Sequence, residues 1–345
     1  MCLVTRLTKP FVAKKDIVFY KHLRKSGDDY TTPFKDVKVK LGKKMVANTK
    51  RKYEGEDWNN CRKHAIEDGF IHALLGKKRM NGNVVVKAII PAGTEFYVGD
   101  DCIEVCARKL ILTTEVISPA DVPDAKIAIR ELFADYFESF FEALEVEVAV
   151  GYYRLADGGY VNPLNLTDDI KDDIMGIVAC IHDGKVYIVS LDCTASEWCT
   201  DDWAKSSMVC KKLHTDRTSV EDDFDGEGNT KAVLSHYIYS PERYPAFAWI
   251  ANYQTKGTKK GDWHMGAAGE IIAIGCYNQF KINLAMALLD NATMIDYEWL
   301  WSSSEYNDNN AWNLNPSNGN VNNNASYYGN KNYSGRVRAF AAFNT

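Results

Sequence analysis

Hydrophobic and polar positions fall into three regimes along this chain. Up to about residue 115, short apolar runs of strand length alternate with charged turns. Asp16-Ile17-Val18-Phe19-Tyr20 and Val84 through Ile90 are two such runs; Pro91-Ala92-Gly93-Thr94 reads as a turn, Glu95-Phe96-Tyr97-Val98 as the next strand, and Lys109 to Leu112 closes the module. The period then changes. Ile129, Leu132, Phe133, Tyr136, Phe137, Phe140, Phe141 and Leu144 are spaced by alternating steps of three and one, which is one wide helical stripe. Asp121 and Asp124 around Pro123 supply a helix start. The stripe is wider than a coiled-coil seam, so packing within the chain is favoured over self-association. From about Val146 the pattern is α+β. Ile177–Ile181 and Val186–Leu191 read as strands around the turn 182–185, and Thr230–Tyr239 and Ala267–Leu289 as helices. The predicted organisation is an α+β chain with a small α/β module over 1–115, a connecting helix over 116–147 and a third part over 148–345.

The last forty residues use a reduced alphabet. From Tyr306 to Ser334, twenty-nine residues include twelve Asn, four Tyr, three Ser, two Gly and one Asp. Asn codons are AAC and AAT, and replacing their adenines gives Tyr, Asp, Ser and Gly. The segment therefore looks mutagenised at adenines, as expected of a protein that varies a binding surface. Asn-rich tracts also occur as disordered, low-complexity sequence. Three features oppose that here. Trp312-Asn313-Leu314-Asn315 alternates like a strand with one buried and one exposed face. Asn318-Gly319 suits a two-residue hairpin turn before Asn320-Val321-Asn322. The chain then closes on Arg336-Val337-Arg338-Ala339-Phe340-Ala341-Ala342-Phe343, a strand-like run.

Composition narrows the classes. With 345 residues and 46% hydrophobic content, two or three domains with sizeable cores are expected. No run of eighteen apolar residues predicts a membrane span, and the first residues lack the apolar core of a signal peptide. The net charge of −5 hides a split: residues 1–110 carry 23 Lys+Arg and 13 Asp+Glu, the remainder 18 and 33. The basic part reads as a solvated surface or a dock for an acidic neighbour. Lys43-Lys44 and Lys77-Lys78-Arg79 lack the interleaved aromatics of a nucleic-acid site, so nucleic acid is an unlikely partner. The nine scattered cysteines read as packed, reduced thiols. Asp223, Asp225 and Glu227 alternate like a calcium loop but lack the distal Glu; a turn with Asn229 or Thr230 capping the next helix is the preferred reading. His264 and Glu270 do not have zinc-helix spacing, and no phosphate loop, nucleophile elbow or dinucleotide fingerprint is present. No metal, cofactor or catalytic residue is expected.

Two resemblances extend this reading. The pieces MCLVT, DIVFYKHL, EDGFIHAL, VVVKAIIPAGTEFYVG and KLILTTEV resemble a small N-terminal module found in proteins of gut Bacteroides and their phages. The Pro-x-Gly-Thr turn is similar to one in the split-sheet core of ADP-ribosyltransferases. The Arg, Ser and Glu of that family cannot be placed here, so the module is taken as non-catalytic. Over 150–345, GYYRLADGGY, GIVACIHDGKVYIVSLD, DFDGEGNTKAV, RYPAF, GDWHMGAAGEI, WLWSSSE, AW and GRVRAF resemble the C-type-lectin-fold branch. That branch includes formylglycine-generating enzymes and the variable proteins of diversity-generating retroelements. His264-Met265-Gly266-Ala267 departs from the Leu-Pro pair common there. The enzymes use a late cysteine pair, and no cysteine follows Cys276 here.

The second resemblance implies a fixed scaffold of Trp301, Glu305, Trp312, Leu314, Val321, Arg336 and Arg338 beneath a ligand-binding, variable set. That set is Tyr306, Asn307, Asp308, Asn309, Asn310, Asn313, Asn315, Ser317, Asn318, Asn320, Asn322, Asn323, Asn324, Ser326, Tyr327, Tyr328, Asn330, Asn332, Tyr333 and Ser334. Lys331 fits the pattern poorly, because a Lys codon differs from an Asn codon at the third base. The implied role is attachment to a host cell-surface protein or glycan, as a phage tail adhesin in the virion. The N-terminal module would contact other tail proteins, and a homo-oligomer is compatible with the sequence. The alternatives are a cytoplasmic or lysis-released bacterial binding protein, and an enzyme in residues 1–115 with a lectin-like targeting arm. The last predicts a buried, pKa-perturbed polar cluster in that module.

Overall fold

The strand-length runs of the first regime pair into antiparallel sheet. The computed structural model describes residues 3–5, 7, 9–33, 36–47, 64–66, 71–77, 82–142, 146–200, 209–210, 213–296, 298–316, 320–322 and 329–345. The chain divides into two compact units, Met1–Phe140 and Phe141–Thr345. In the first, Ile17–Ser26 lies between Ile71–Leu74 and Val84–Ile90 in a ten-stranded sheet. Its register runs from Ile17 opposite Ile90 to Leu23 opposite Val84. Glu95–Val98 and Lys109–Ile117 appear where the pattern predicts strands. In the turn between two of these strands, Thr94 N–H donates to Pro91 O at 3.1 Å with Gly93 at φ +76°, a conformation that only glycine takes freely.

The amphipathic stripe belongs to this first unit from Ile129 to Phe140; Phe141 falls in the second unit and Leu144 lies outside the described residues. Asp124 caps the helix Ala125–Leu132, accepting from Lys126 N–H at 2.9 Å, so Pro123 precedes the cap instead of opening the first turn. The helix widens into a π-turn at Phe133–Phe137 and tightens into a 3-10 turn at Glu138–Phe140. Ile129, Leu132, Tyr136 and Phe137 are buried. The ring of Tyr136 meets Phe96 edge-on at 5.5 Å, and its hydroxyl accepts from Lys14 N–H at 2.7 Å. The stripe is thus used inside its own unit.

The second unit holds two sheets. The first runs Tyr160–Val161, Tyr153–Leu155, Ile174–His182, Lys185–Ser190, Ala339–Asn344, His264–Met265. The closing run, expected as one strand over 336–343, divides at Arg338: Ser334–Val337 joins the other sheet, and Ala339–Asn344 is an inner strand of this one with Phe340 opposite Val189. The second runs Thr194–Glu197, Ser334–Val337, Leu300–Glu305, Ala311–Asn315, Asn320–Asn322. Helices cover the core between. The segment expected to be helical over Thr230–Tyr239 is helical over Gly226–Ser235 instead. The cause is the cap: Asp225, and neither Asn229 nor Thr230, accepts from Gly228 N–H at 3.0 Å. A Cβ at Gly228 would sit 2.3 Å from the Asp225 carboxylate, so it is the glycine at this position that admits the cap. The long helical stretch is Ala268–Ile272, a π-turn at Ala273–Asn278 and Gln279–Ala287. The chain is mixed α+β and mostly antiparallel sheet. Among the described residues, no helix is long and apolar enough to cross a membrane.

Candidate binding surface at the Asn-rich segment

Both ends of the Asn-rich segment are built into the five-stranded sheet. Leu300–Glu305 pairs antiparallel with Ala311–Asn315 on one side, and Leu300 pairs parallel with Arg336 on the other. Trp301, Trp312 and Leu314 are buried, as the apolar positions predict. Helix and hairpin approach closely at Gly275, where a Cβ would lie 2.2 Å from a methyl carbon of Leu314. Asn313 pairs with Asn322 and Asn315 with Asn320. The two-residue turn expected at Asn318-Gly319 lies, with Ser317, outside the described residues.

Buried polar groups hold the base in register. Trp198 Nε1–H donates to Ser302 O at 3.0 Å, Ser302 Oγ–H to Trp312 O at 2.7 Å, and Trp312 Nε1–H to His214 O at 2.8 Å. His214 N–H donates to Glu305 O at 3.0 Å. Glu305 Oε2 accepts from Val209 N–H at 3.0 Å and Cys210 N–H at 2.5 Å, while Oε1 pairs with Lys331 Nζ. Both members of that ion pair are fully buried. A buried pair left with one partner costs about 3–5 kcal/mol, so neither side chain is freely replaceable. Arg338 is buried and donates to Ser190 O, Thr293 O and Met294 O. Arg336 pairs with Asp296 at 3.2 Å and Glu298 at 2.8 Å. Every scaffold residue of the sequence reading except Val321, whose side chain is outside the described set, is thus placed in the base.

The expected variable set divides. Asn309, Asn332, Tyr333 and Ser334 are exposed; Tyr306, Asn307, Asp308, Asn315 and Asn330 are half-buried. The side chains of Ser317, Asn318, Asn320, Asn322, Asn323, Asn324, Ser326, Tyr327 and Tyr328 lie outside the described residues. Asn310 and Asn313 contradict the expectation of exposure, at 2% and 1%. Ala311–Asn315 pairs with a strand on each side and both of its faces are covered, so alternation there does not mark an open face. Asn307 acts within its own turn. Its carboxamide oxygen accepts from Asn309 N–H at 2.9 Å and Asn310 N–H at 2.8 Å, which closes the chain on itself. The sequence reading missed Lys331 as scaffold. The residue type carried the signal, since Lys codons differ from Asn codons at the third base and Lys331 alone in 306–334 is a cation.

Elsewhere, Asp223 takes hydrogen bonds from Ser304 Oγ at 2.6 Å and Asn229 Nδ2 at 3.1 Å, and contacts His214 Nε2 at 3.1 Å. Burial would raise its carboxyl, but His214, Ser304 and the Asp225 N–H hold it down to about 2. Its oxygens are used to brace the Ser302–Ser304 strand, and Asp225 caps a helix. Among the described residues no group of three metal-ligating side chains converges. His264 Nε2 meets Glu270 Oε2 at 2.8 Å, and Glu270 Oε1 accepts from Gly226 N–H at 3.1 Å, a buried structural pair. In the first unit, Lys21 is buried and donates to His72 O at 2.5 Å; burial pushes its amine down to about 8 and also lowers His22. A cleft of about 450 Å³ in that unit is lined by Lys15, Val18, Tyr20, Ile127 and neighbours, without Lys21 or His22.

The chain matches no protein-family model and no curated protein. Among solved structures it is similar to a fimbrial protein from Bacteroides ovatus ATCC 8483, at 12% identity and a TM-score of 0.44. The likeness covers 94% of this chain and 63% of that one, so the chain spans less than two thirds of that protein's length.

Proposed function

We propose that this chain is a ligand-binding protein whose contact surface is displayed by the Asn- and Tyr-rich segment on a C-type-lectin-like domain, and that the segment is diversified at adenines by a retroelement. One observation carries the reading. Among the described side chains of 306–334 the apolar Ala311, Trp312 and Leu314 are buried, whereas the exposed ones, Asn309, Asn332, Tyr333 and Ser334, are all Asn or reachable from Asn by replacing adenines. Tyr supplies rigid contact area at low entropic cost, and Asn and Ser supply adaptable hydrogen bonds, the alphabet of antibody loops. The proposed setting is a phage tail, where the segment attaches the particle to a host-surface protein or glycan. Binding and not catalysis is the proposed activity. The buried Lys21 and His22 are the perturbed cluster that an enzymatic first unit would require, yet the Lys21 amine is engaged by a backbone carbonyl and neither residue lines the cleft at Lys15, Val18 and Tyr20.

The test is genetic. A near-copy of the 301–340 coding region should lie beside a reverse transcriptase, with mismatches confined to template adenines. Functional copies should retain Asn310, Asn313 and Lys331, whose burial makes them part of the base. Mismatches spread evenly over all four template bases would sink the proposal. Structural genes next door separate the virion setting from a bacterial protein of the same design.

A further inference from the structure

The two ends of the Asn-rich segment meet at one buried cation. We infer that Lys331 is the positioning residue of the proposed surface, and that this surface is a composite of Tyr306–Asn309 and Asn330–Ser334. The inference rests on the binding reading above. Its geometry comes from a single residue acting twice. Through its backbone, Lys331 N–H donates to Asn309 O at 3.1 Å, and its carbonyl accepts from Cys199 N–H at 2.9 Å. Through its side chain, Nζ pairs with Glu305, donates to Asp308 O at 3.0 Å and stands 4.5 Å from the Trp198 ring centroid. Carboxylate, carbonyl and aromatic face together occupy the ammonium, so it offers nothing to a ligand. It sets where its neighbours stand.

The surrounding backbone agrees. Ala311 N–H donates to Gly329 O at 3.0 Å, Asn310 and Asn330 form an isolated bridge, and Tyr306 N–H donates to Asn310 O at 3.0 Å. Residues 306–309 are thereby held against 330–334, although more than twenty positions separate them in sequence. The resulting face carries amides, hydroxyls and two tyrosines with Asp308 as its one charged residue, which suits an uncharged, polar partner surface.

Hydrogen exchange on the full chain tests this. Lys331→Met alone strands the Glu305 charge and should lower the melting temperature. The paired variant Glu305→Gln/Lys331→Met removes both charges and should recover most of it. In that paired variant the amides of Tyr306, Ala311 and Lys331 should still exchange at least tenfold faster than in the parent, with those of Ile174–His182 unchanged. A residue that only balances charge would restore slow exchange, and parental rates at those three amides overturn the inference. If the paired variant does not fold, the parent decides: Lys331 and Ala311 amides as protected as those of Leu300–Glu305 support the inference, and unprotected ones overturn it. Exchange does not depend on a ligand. A positive result beside a failed host-attachment or template test would remove the functional reading and leave the positioning role standing.

Discussion

Replacing Trp312 separates the base of the surface from the surface itself. Trp312 is 2% exposed, its indole N–H donates to His214 O at 2.8 Å, and the Tyr306 ring meets it edge-on at 5.8 Å. Trp312→Ala empties that volume, and buried Trp-to-Ala changes cost about 3–5 kcal/mol. Trp312→Phe keeps most of the ring but leaves the His214 carbonyl without its donor, a loss of about 1–3 kcal/mol. The two variants should therefore fall in that order. Urea unfolding followed by tryptophan fluorescence is the suitable assay. Seven of the eight tryptophans lie in the second unit and only Trp58 in the first, so the signal follows the unit that changes even if the two units unfold separately. A cost below about 1 kcal/mol for the Ala variant, or equal costs for Phe and Ala, would refute the packing argument.

Other outcomes follow from the same structure. Tyr333 is 43% exposed, and it is its backbone carbonyl that takes the Trp301 indole N–H. Truncating it to Ala should change stability by less than about 0.5 kcal/mol while weakening the proposed host-cell attachment at least tenfold; undiminished attachment removes Tyr333 from the contact surface. Asp223 is held at about 2, below its unfolded value of ~3.9. Its stabilisation is complete above pH ~5 and fades as pH falls through ~4 towards 2, by roughly 2–3 kcal/mol in all. Asp223→Asn should flatten that acid limb in urea midpoints measured from pH 2 to 6, and an unchanged slope would refute the assignment. Burial pushes the Cys180 thiol up to about 12, whereas Cys193 is half-buried. Among the described cysteines, iodoacetamide should label Cys193 before Cys180, and the reverse order would contradict the burial argument.

Periodicity alone determined much of this molecule. The steps of three and one between Ile129 and Phe141 specify a helical stripe whatever it packs against, because side-chain direction repeats every 3.6 residues. The closing apolar run specifies extended chain, but not that Val337 ends a strand of one sheet and Ala339 begins a strand of the other. Local chemistry was harder to read from the chain. Asp225 won the helix cap from Asn229 and Thr230 because Gly228, lacking a Cβ, lets the backbone close on its carboxylate. What tertiary structure decided was which polar residues are withdrawn from solvent. Asn310 and Asn313 carry the same letter as Asn309 and Asn332, and only the strands and covering layers around Ala311–Asn315 bury the first pair. Lys331 stood out in the sequence merely as a misfit. Its partners, Trp198 on one side and Glu305 with the Asp308 carbonyl on the other, come from distant places along the chain, and a buried cation is tolerable only where such partners converge. Convergence of that kind is a property of the folded chain, which no periodicity records.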